Sequence, residues 1–491
     1  LDSAMAAPSG PISATPKPIK FGTDGWRGII AADFTFERVA QVAAISAHVL
    51  HRCFGDETGS RTVAVGYDRR FLGAEFAQTA AEAIASQGFE VLLSQDYAPT
   101  PAFSYAAKHQ NLLGAIVITA SHNPSIYSGL KIKGAFGGSV SPDVTKQVEA
   151  LLPNPPAPLG DRGAIETFDP WPAYCEALQA EVDVAAIQKA ISSGKLTVFA
   201  DVMYGSASGG LPRLLGEASV HELHNNADPL FGGNPPEPLP KYLGEMLETV
   251  KEYPAQGGVK VGLVFDGDSD RIAAVDGNGT FLSSQILIPI LIDHLKSRRG
   301  YSGEIVKTIS GSNLIPAVAK LNGLELYQTA VGYKYIADRM QEAKVLLGGE
   351  ESGGIGYGHH IPERDALMSA LYVLEALVAS GMDLSDYYRT LQEKTGYFSE
   401  YDRIDLPLPS MDVQAKLLHS LATAPPQEVA GKAVKDILDI DGYKLTLADD
   451  SWLLIRFSGT EPVLRLYSEA KTLEEVHRHL HWAKDWASAF E

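Results

Sequence analysis

Three carboxylates at alternate positions, Asp266, Asp268 and Asp270, follow directly on an apolar run, Val-Gly-Leu-Val-Phe, and precede Arg271. Alternate residues beyond a strand can point into one pocket, and hard oxygen donors suit Mg²⁺ or Ca²⁺. A calcium-hand loop opening at Asp266 needs Gly at its sixth position and Glu at its twelfth. Those positions hold Arg271 and Gly277, which excludes it. A solvated acidic turn is the alternative, yet three like charges after a buried strand repel one another unless a cation joins them. A second segment, Thr119-Ala120-Ser121-His122-Asn123-Pro124, offers a serine that becomes a nucleophile or phosphate carrier when a base, metal or electrophilic setting assists it. A plain Ser/Asn/Pro turn explains the same residues. The third segment, Gly348-Gly349-Glu350-Glu351-Ser352-Gly353-Gly354, places acceptors at Glu350 and Ser352 among glycines that permit close ligand approach. It fits sugar hydroxyls, or a flexible glycine turn. The fourth, Arg456-Phe457-Ser458-Gly459-Thr460-Glu461-Pro462 with Arg465 beyond it, joins guanidinium, hydroxyl and backbone donors in a phosphate cradle, or forms a hairpin turn.

Each motif needs a strand to carry it. Apolar runs at Arg61–Tyr67, Val91–Ser94 and Gly114–Thr119 alternate with a helical pattern over Ala74–Gln87. This is the signature of βαβ units and a largely parallel sheet. The Pro-rich stretch from Pro153 to Pro172 reads as a linker. The rhythm restarts with strands at Lys195–Asp201 and Lys260–Asp266. A hairpin follows at Ile272–Val275 and Thr280–Ser283, around Asp276-Gly277-Asn278-Gly279. It restarts again near Ser284, with strands at Glu304–Ile309, Glu325–Thr329 and Val345–Leu347. A helix follows over Leu367–Val378, with Leu367, Leu371, Leu374 and Val378 on one stripe. The last part differs: paired strands Leu453–Phe457 and Val463–Tyr467, then a helix over Thr472–Ala489 opened by the capping box Thr472/Glu475. His477, His479 and His481 lie on that helix, and only His477 and His481 share a face, read as solvated. The expected division is a mobile segment 1–18, α/β units 19–171, 172–283 and 284–395, and a smaller α+β unit 396–491. In open α/β sheets ligands bind at strand ends, where all four motifs fall.

Composition narrows the partners. The 491 residues carry a net charge of −19, which disfavours nucleic acid because phosphate backbones repel that sign. A small anion in a locally basic pocket is not excluded. Only Cys53 and Cys175 are present, so a disulfide framework is not expected and a reducing, cytoplasmic setting is. No run approaches the ~20 apolar residues of a membrane span, so no membrane partner is expected. Phosphate-loop, nucleophile-elbow and zinc-helix motifs are missing.

The four motifs in this order, with Phe21-Gly22-Thr23-Asp24-Gly25-Trp26-Arg27-Gly28 ahead of them, resemble the α-D-phosphohexomutase family. The resemblance runs from about Phe21 to the C-terminus. It implies three doubly wound α/β domains and a smaller α+β domain around a central cleft. It implies that Ser121 carries the phosphoryl group, and that Asp266, Asp268 and Asp270 with a phosphoserine oxygen bind one Mg²⁺. Arg27 and Arg271 would steady the transferring group, and Lys131, in Ser128-Gly129-Leu130-Lys131-Ile132, and His122 are acid/base candidates. Glu350 and Ser352 would grip sugar hydroxyls, while Arg456, Ser458, Gly459, Thr460 and Arg465 would hold the non-reacting phosphate. Gly332, in Thr329-Ala330-Val331-Gly332-Tyr333-Lys334, resembles the sugar-contacting turn, with Ala330 where proline is common. His360 and Arg364, in His359-His360-Ile361-Pro362-Glu363-Arg364-Asp365, resemble the corresponding stretch of glucose-type members. Gly354 stands where members handling mannose and glucose often carry histidine. The implied activity is interconversion of glucose 1-phosphate and glucose 6-phosphate, with glucose 1,6-bisphosphate as intermediate and activator, in a monomer or weak homodimer. A bisphosphate synthase fed by a donor such as fructose 1,6-bisphosphate, or a phosphomannomutase, would use the same parts.

Overall fold

The computed structural model describes residues 16–22, 24–254, 257–458 and 462–490. It contains four sheets, three in α/β units and one in a C-terminal α+β unit. In the first, a seven-stranded sheet, the order is Phe21–Gly22, Gly25–Ile29, Tyr127–Gly134, Gly114–Ile118, Thr62–Tyr67, Glu90–Ser94 and Ile165–Phe168. This sheet is mixed rather than largely parallel. Thr62–Tyr67 pairs in parallel with both Glu90–Ser94 and Gly114–Ile118, the strands being connected through the helices Gly73–Ala85 and Thr100–His109, whereas Tyr127–Gly134 runs antiparallel to Gly114–Ile118. The reason is length: residues 119–126 are too few for a crossover helix, so the chain must turn straight back. The Pro-rich stretch is likewise more than a linker. Within it Ile165–Phe168 forms an edge strand parallel to Glu90–Ser94, and an edge position tolerates prolines nearby because half its backbone groups need no partner.

The second sheet runs Phe281–Leu282, Ile272–Val275, Val259–Phe265, Leu196–Asp201, His221–Leu223, and the third Leu326–Thr329, Glu304–Thr308, Val345–Gly349, Ile355–Tyr357. Each has a parallel centre and one antiparallel hairpin edge. The helix Ala366–Ser380 ties these units together. The expected single apolar stripe is replaced by burial on every side: all residues from Ala366 to Leu377 are buried, in one core shared with the helices Trp171–Ala180 and Ser284–Ser297. Asp365 caps its start by accepting from the Met368 amide, and Gly381 ends it in the left-handed region at φ 68°, where glycine escapes the Cβ penalty. No single helix among the described residues is long and apolar enough to cross a membrane.

The fourth sheet has six strands, ordered Glu400–Pro407, Val463–Ala470, Trp452–Phe457, Tyr443–Leu447, Lys432–Leu438, Glu428–Val429, all antiparallel. The helices Met411–Thr423 and Leu473–Ser488 join its core. Thr472 caps the latter by accepting from the Glu475 amide, but the Glu475 carboxylate goes to Lys432, so the box is half made. His477 and His481 do share the outer face, while His479 is buried and hydrogen-bonds Ser468 Oγ through Nδ1 at 3.0 Å.

Candidate active site

The strand Val259–Phe265 ends at Asp266, and the loop that follows curls its carboxylates inward. Asp266 Oδ1 accepts from the amides of Asp270 (3.0 Å) and Arg271 (3.1 Å), which closes the loop and leaves Oδ2 for Ser121 Oγ at 2.8 Å. Asp268 Oδ2 accepts from Thr100 Oγ1 (2.6 Å) and Lys131 Nζ (2.8 Å). Asp270 Oδ2 accepts from Lys131 Nζ (2.9 Å) and Arg364 Nη2 (2.6 Å). The three carboxylates offer ligand atoms within 4.8 Å of one another, fully shielded from solvent. Burial, then the charges of Asp270 and Asp268, push the Asp266 carboxyl well above its usual range. Asp268 Oδ1 and Asp270 Oδ1 are buried without a hydrogen-bond partner. Orphaned carboxylate oxygens in such a cluster are costly unless a cation meets them. The donor set therefore fits a hard divalent ion such as Mg²⁺.

Ser121 follows the strand Gly114–Ile118 and adopts φ 51°, a left-handed conformation unusual outside glycine. Its hydroxyl faces Asp266, and His122 Nδ1 lies 3.3 Å from it. Burial, then Arg271 and Arg27, hold the His122 imidazole well below its ordinary pKa, so it is neutral. Lys131 is placed by the antiparallel return strand, opposite Val117. Its ammonium touches Asp24 (2.7 Å), Asp268 and Asp270. Burial alone would lower its pKa, but the three carboxylates together raise it. In this arrangement Lys131 is a fixed cation. Arg27 Nη1 donates to Asn123 Oδ1, so its guanidinium sits over the serine loop. Gly25 is required in this corner: a Cβ there would lie 2.7 Å from the Leu130 carbonyl.

The sugar-type loop runs beside the metal-type loop. Arg271 bridges to Gly354, and the Ile272 amide donates to the Gly353 carbonyl at 3.0 Å. Glu350 is buried, and burial, opposed by Arg364, raises its carboxyl to about 7. Gly354 has a structural role of its own: a Cβ there would meet Arg364 Cδ at 2.3 Å. The stem of Arg364 fills that space, and its head reaches Asp24 and Asp270. Gly332, at φ 132°, precedes the helix Tyr333–Glu342.

A cavity of about 1140 Å³ joins these parts. Arg27, His122, Arg271, Gly332, Glu350, Ser352 and Arg364 line it from the first three units, and Arg456 and Arg465 from the fourth. Ser121 and the three aspartates are buried and not among the described lining residues, but their chain neighbours His122 and Arg271 are. Arg456 stands opposite Arg465 across the strand pair, with Nε donating to Asp441 Oδ2 at 2.7 Å. Ser458 begins the turn, its amide bonded to the Val463 carbonyl; Gly459 and Thr460 lie outside the described residues. His360 is not among the described residues lining the cavity. It is buried between the first and third units, with Nε2 at 3.1 Å from Asp365 and its ring stacked on Tyr105.

Sequence reasoning missed three residues here. Asp24 accepts from Lys131 and Arg364, although it sits in the opening motif beginning at Phe21. Arg403 lines the cavity from the strand Glu400–Pro407, opposite Tyr467 and on the same face as Arg465. The alternation Tyr401, Arg403, Asp405 was the available signal. Arg70 grips the serine loop from behind, and nothing local in its sequence pointed there.

Comparisons with known proteins agree with this geometry. Residues 18–156, 172–279 and 283–395 match phosphoglucomutase/phosphomannomutase alpha/beta/alpha domains I, II and III, and 419–481 match the C-terminal domain. The phosphoglucomutase/phosphomannomutase of Thermococcus kodakarensis is 32% identical over 94% of this chain and 96% of its own. A probable phosphoglucosamine mutase of Methanothermobacter thermautotrophicus is 30% identical over 95% and 96%. The crystal structure of a putative phosphomannomutase from Thermus thermophilus superposes with a TM-score of 0.82 at 32% identity, covering 96% of this chain and 100% of that one. With these matches the chain is a phosphohexomutase, a member of the phosphoglucomutase/phosphomannomutase family.

Proposed function

We propose that this enzyme interconverts glucose 1-phosphate and glucose 6-phosphate through a phosphoserine at Ser121 and a glucose 1,6-bisphosphate intermediate. The units 19–171, 172–283, 284–395 and 396–491 each give one wall of the cleft. The observation that carries the reading is Ser121 Oγ set 2.8 Å from Asp266, beside a cavity lined from four units. In this reading Asp266, Asp268, Asp270 and an oxygen on Ser121 hold Mg²⁺. Mg²⁺, when bound, acts as a Lewis acid on the phosphoryl oxygens. The residues of the chain do the rest. Arg27 and Arg271 neutralise and align the transferring group, which phosphoryl transfer requires above all else. Neutral His122 is the base within reach of the serine, and Lys131 is the buried cation beside it. Glu350 and Ser352 orient the ring. Arg456, Ser458, Gly459, Thr460 and Arg465 hold the distant phosphate. The sugar then turns over, and the same cradle accepts the phosphate at its other end.

Support for glucose over mannose comes from the Glu350–Ser352 loop and Arg364 in the cavity lining, and from Gly354, where the Arg364 stem leaves no room for a side chain; His360, away from the cavity, contributes nothing to it. A phosphoglucosamine mutase is the second reading, because relatives at 27–30% identity carry that name. A panel of glucose, mannose, glucosamine and N-acetylglucosamine 1-phosphates, each with its matching bisphosphate, decides between them. The glucose reading predicts the highest kcat/KM for glucose 1-phosphate; a higher value for glucosamine 1-phosphate overturns it. Accumulation of glucose 1,6-bisphosphate from fructose 1,6-bisphosphate and glucose 6-phosphate would instead identify a synthase.

A further inference from the structure

The serine loop is held by one side chain that takes no part in the chemistry above. Arg70 follows the strand Thr62–Tyr67 in the first unit, and its side chain is wholly buried. Nη2 donates to the carbonyls of Ser121 and Asn123, both at 2.6 Å. Nη1 donates to the carbonyls of Pro124 and Tyr127, both at 3.0 Å. Nε lies 3.3 Å from Asp68 Oδ2. That carboxylate oxygen also accepts from Thr119 Oγ1 at 2.6 Å, and Thr119 Oγ1 accepts from the Ser121 amide at 2.9 Å. Both the amide and the carbonyl of Ser121 are therefore tied to the Asp68–Arg70 pair. The guanidinium stacks on Phe231 of the second unit, 5.0 Å from the ring centre, which shuts water out behind the loop.

An isolated loop has no reason to turn four carbonyls inward or to leave Ser121 at φ 51°. The Pro124 carbonyl also accepts from the Tyr127 amide, but inward carbonyls without a partner are costly, and the left-handed backbone adds to that cost. A planar fork of five donors meets several carbonyls at once, while an ammonium presents three donors from a single point. The geometry points to Arg70 as the positioning residue of the transfer step: with Asp68 and Thr119 it sets the Ser121 backbone so that the hydroxyl stands on Asp266, beside His122 of the cavity lining. It touches neither the sugar site nor the reacting atoms, so its effect belongs to transfer and not to substrate binding. This inference rests on Ser121 being the phosphoryl carrier.

The test is Arg70→Lys and Thr119→Val in the full chain. Three quantities are read: the quenched-flow rate at which glucose 1,6-bisphosphate phosphorylates Ser121, KM for glucose 1-phosphate, and the thermal midpoint. A misplacement of about 1 Å is worth about 10²-fold in rate. Arg70→Lys is expected to slow phosphorylation by about that factor and Thr119→Val by about 10-fold, with KM within twofold of wild type. Thr119→Val keeps shape and charge, so it decides the matter if Arg70→Lys does not fold. Phosphorylation within threefold of wild type in Thr119→Val or in a folded Arg70→Lys overturns the inference, as does a loss that only tracks the folded fraction. Wild-type protein that takes its phosphoryl group elsewhere overturns the parent reading instead, and the two failures are thereby told apart.

Discussion

At the scale of single residues, cation placement in the cleft sorts into two groups. Arg27, Arg271 and Arg364 lie near the buried carboxylates, and Arg403, Arg456 and Arg465 belong to the fourth sheet. Arg403 is half-exposed, and its guanidinium lies 5.8 Å from the centre of the Tyr467 ring. A phosphate that binds on this face should meet it as a third cation. Arg403→Ala is expected to raise KM for glucose 1-phosphate about 10-fold with little change in kcat, since the lost contact exists in ground and transition states alike. Steady-state kinetics checks this; an unchanged KM removes Arg403 from the site. The residue scale also shows what a sequence can disclose. Asp266, Asp268 and Asp270 were legible because the whole cluster lies within five consecutive residues, its members two positions apart. Asp24 and Arg70 were not, because the groups they bind lie far along the chain, Lys131 in one case and the carbonyls of 121–127 in the other. Their roles exist only once the sheet is assembled.

At the scale of elements, most strands and helices were readable from periodicity, and the failures share a cause. The helix Ala366–Ser380 showed a stripe to the eye, yet it is buried all round because three units pack on it. The edge strand Ile165–Phe168 hid among prolines because an edge asks little of its residues. The final helix shows the same tertiary override at His479. Burial lowers this imidazole to about 4 from an ordinary 6.5. The unfolded chain takes up a proton at about 6.5, while the folded one resists until about 4. The contribution to stability is therefore complete above about pH 6.5 and is lost as pH falls toward 4, by up to about 3 kcal/mol. Thermal unfolding between pH 7.5 and 5 should show the C-terminal unit weakening in wild type, and His479→Gln should flatten that slope. Parallel curves for the two proteins would count against it.

At the scale of the whole molecule, a buried charge network crosses the units. Lys131 and Asp24 of the first unit, Asp268 and Asp270 of the second, and Arg364 of the third meet within ion-pair distance. Such a network contributes little net stability but ties the positions of its members together, and removing one partner is costly. Orphaned oxygens at Asp268 and Asp270 make a divalent cation the natural completion. Mg²⁺ is expected to stabilise the fold by about 2.7 kcal/mol at 100 times Kd, seen as a concentration-dependent rise in thermal midpoint. Asp268→Asn should abolish most of that shift, and an equal shift in the variant would place the ion elsewhere. The acidic net charge of −19 thus surrounds a cleft whose lining is rich in arginine.

The central claim is that the phosphoryl group passes through Ser121. Incubation with glucose 1,6-bisphosphate and Mg²⁺, followed by peptide mapping and a chase with unlabelled glucose 6-phosphate, tests it directly. One phosphoryl group on Ser121, its return to sugar during the chase, and no turnover by a folded Ser121→Ala variant are expected. A phosphoryl group on another residue, or full turnover by Ser121→Ala, would contradict it.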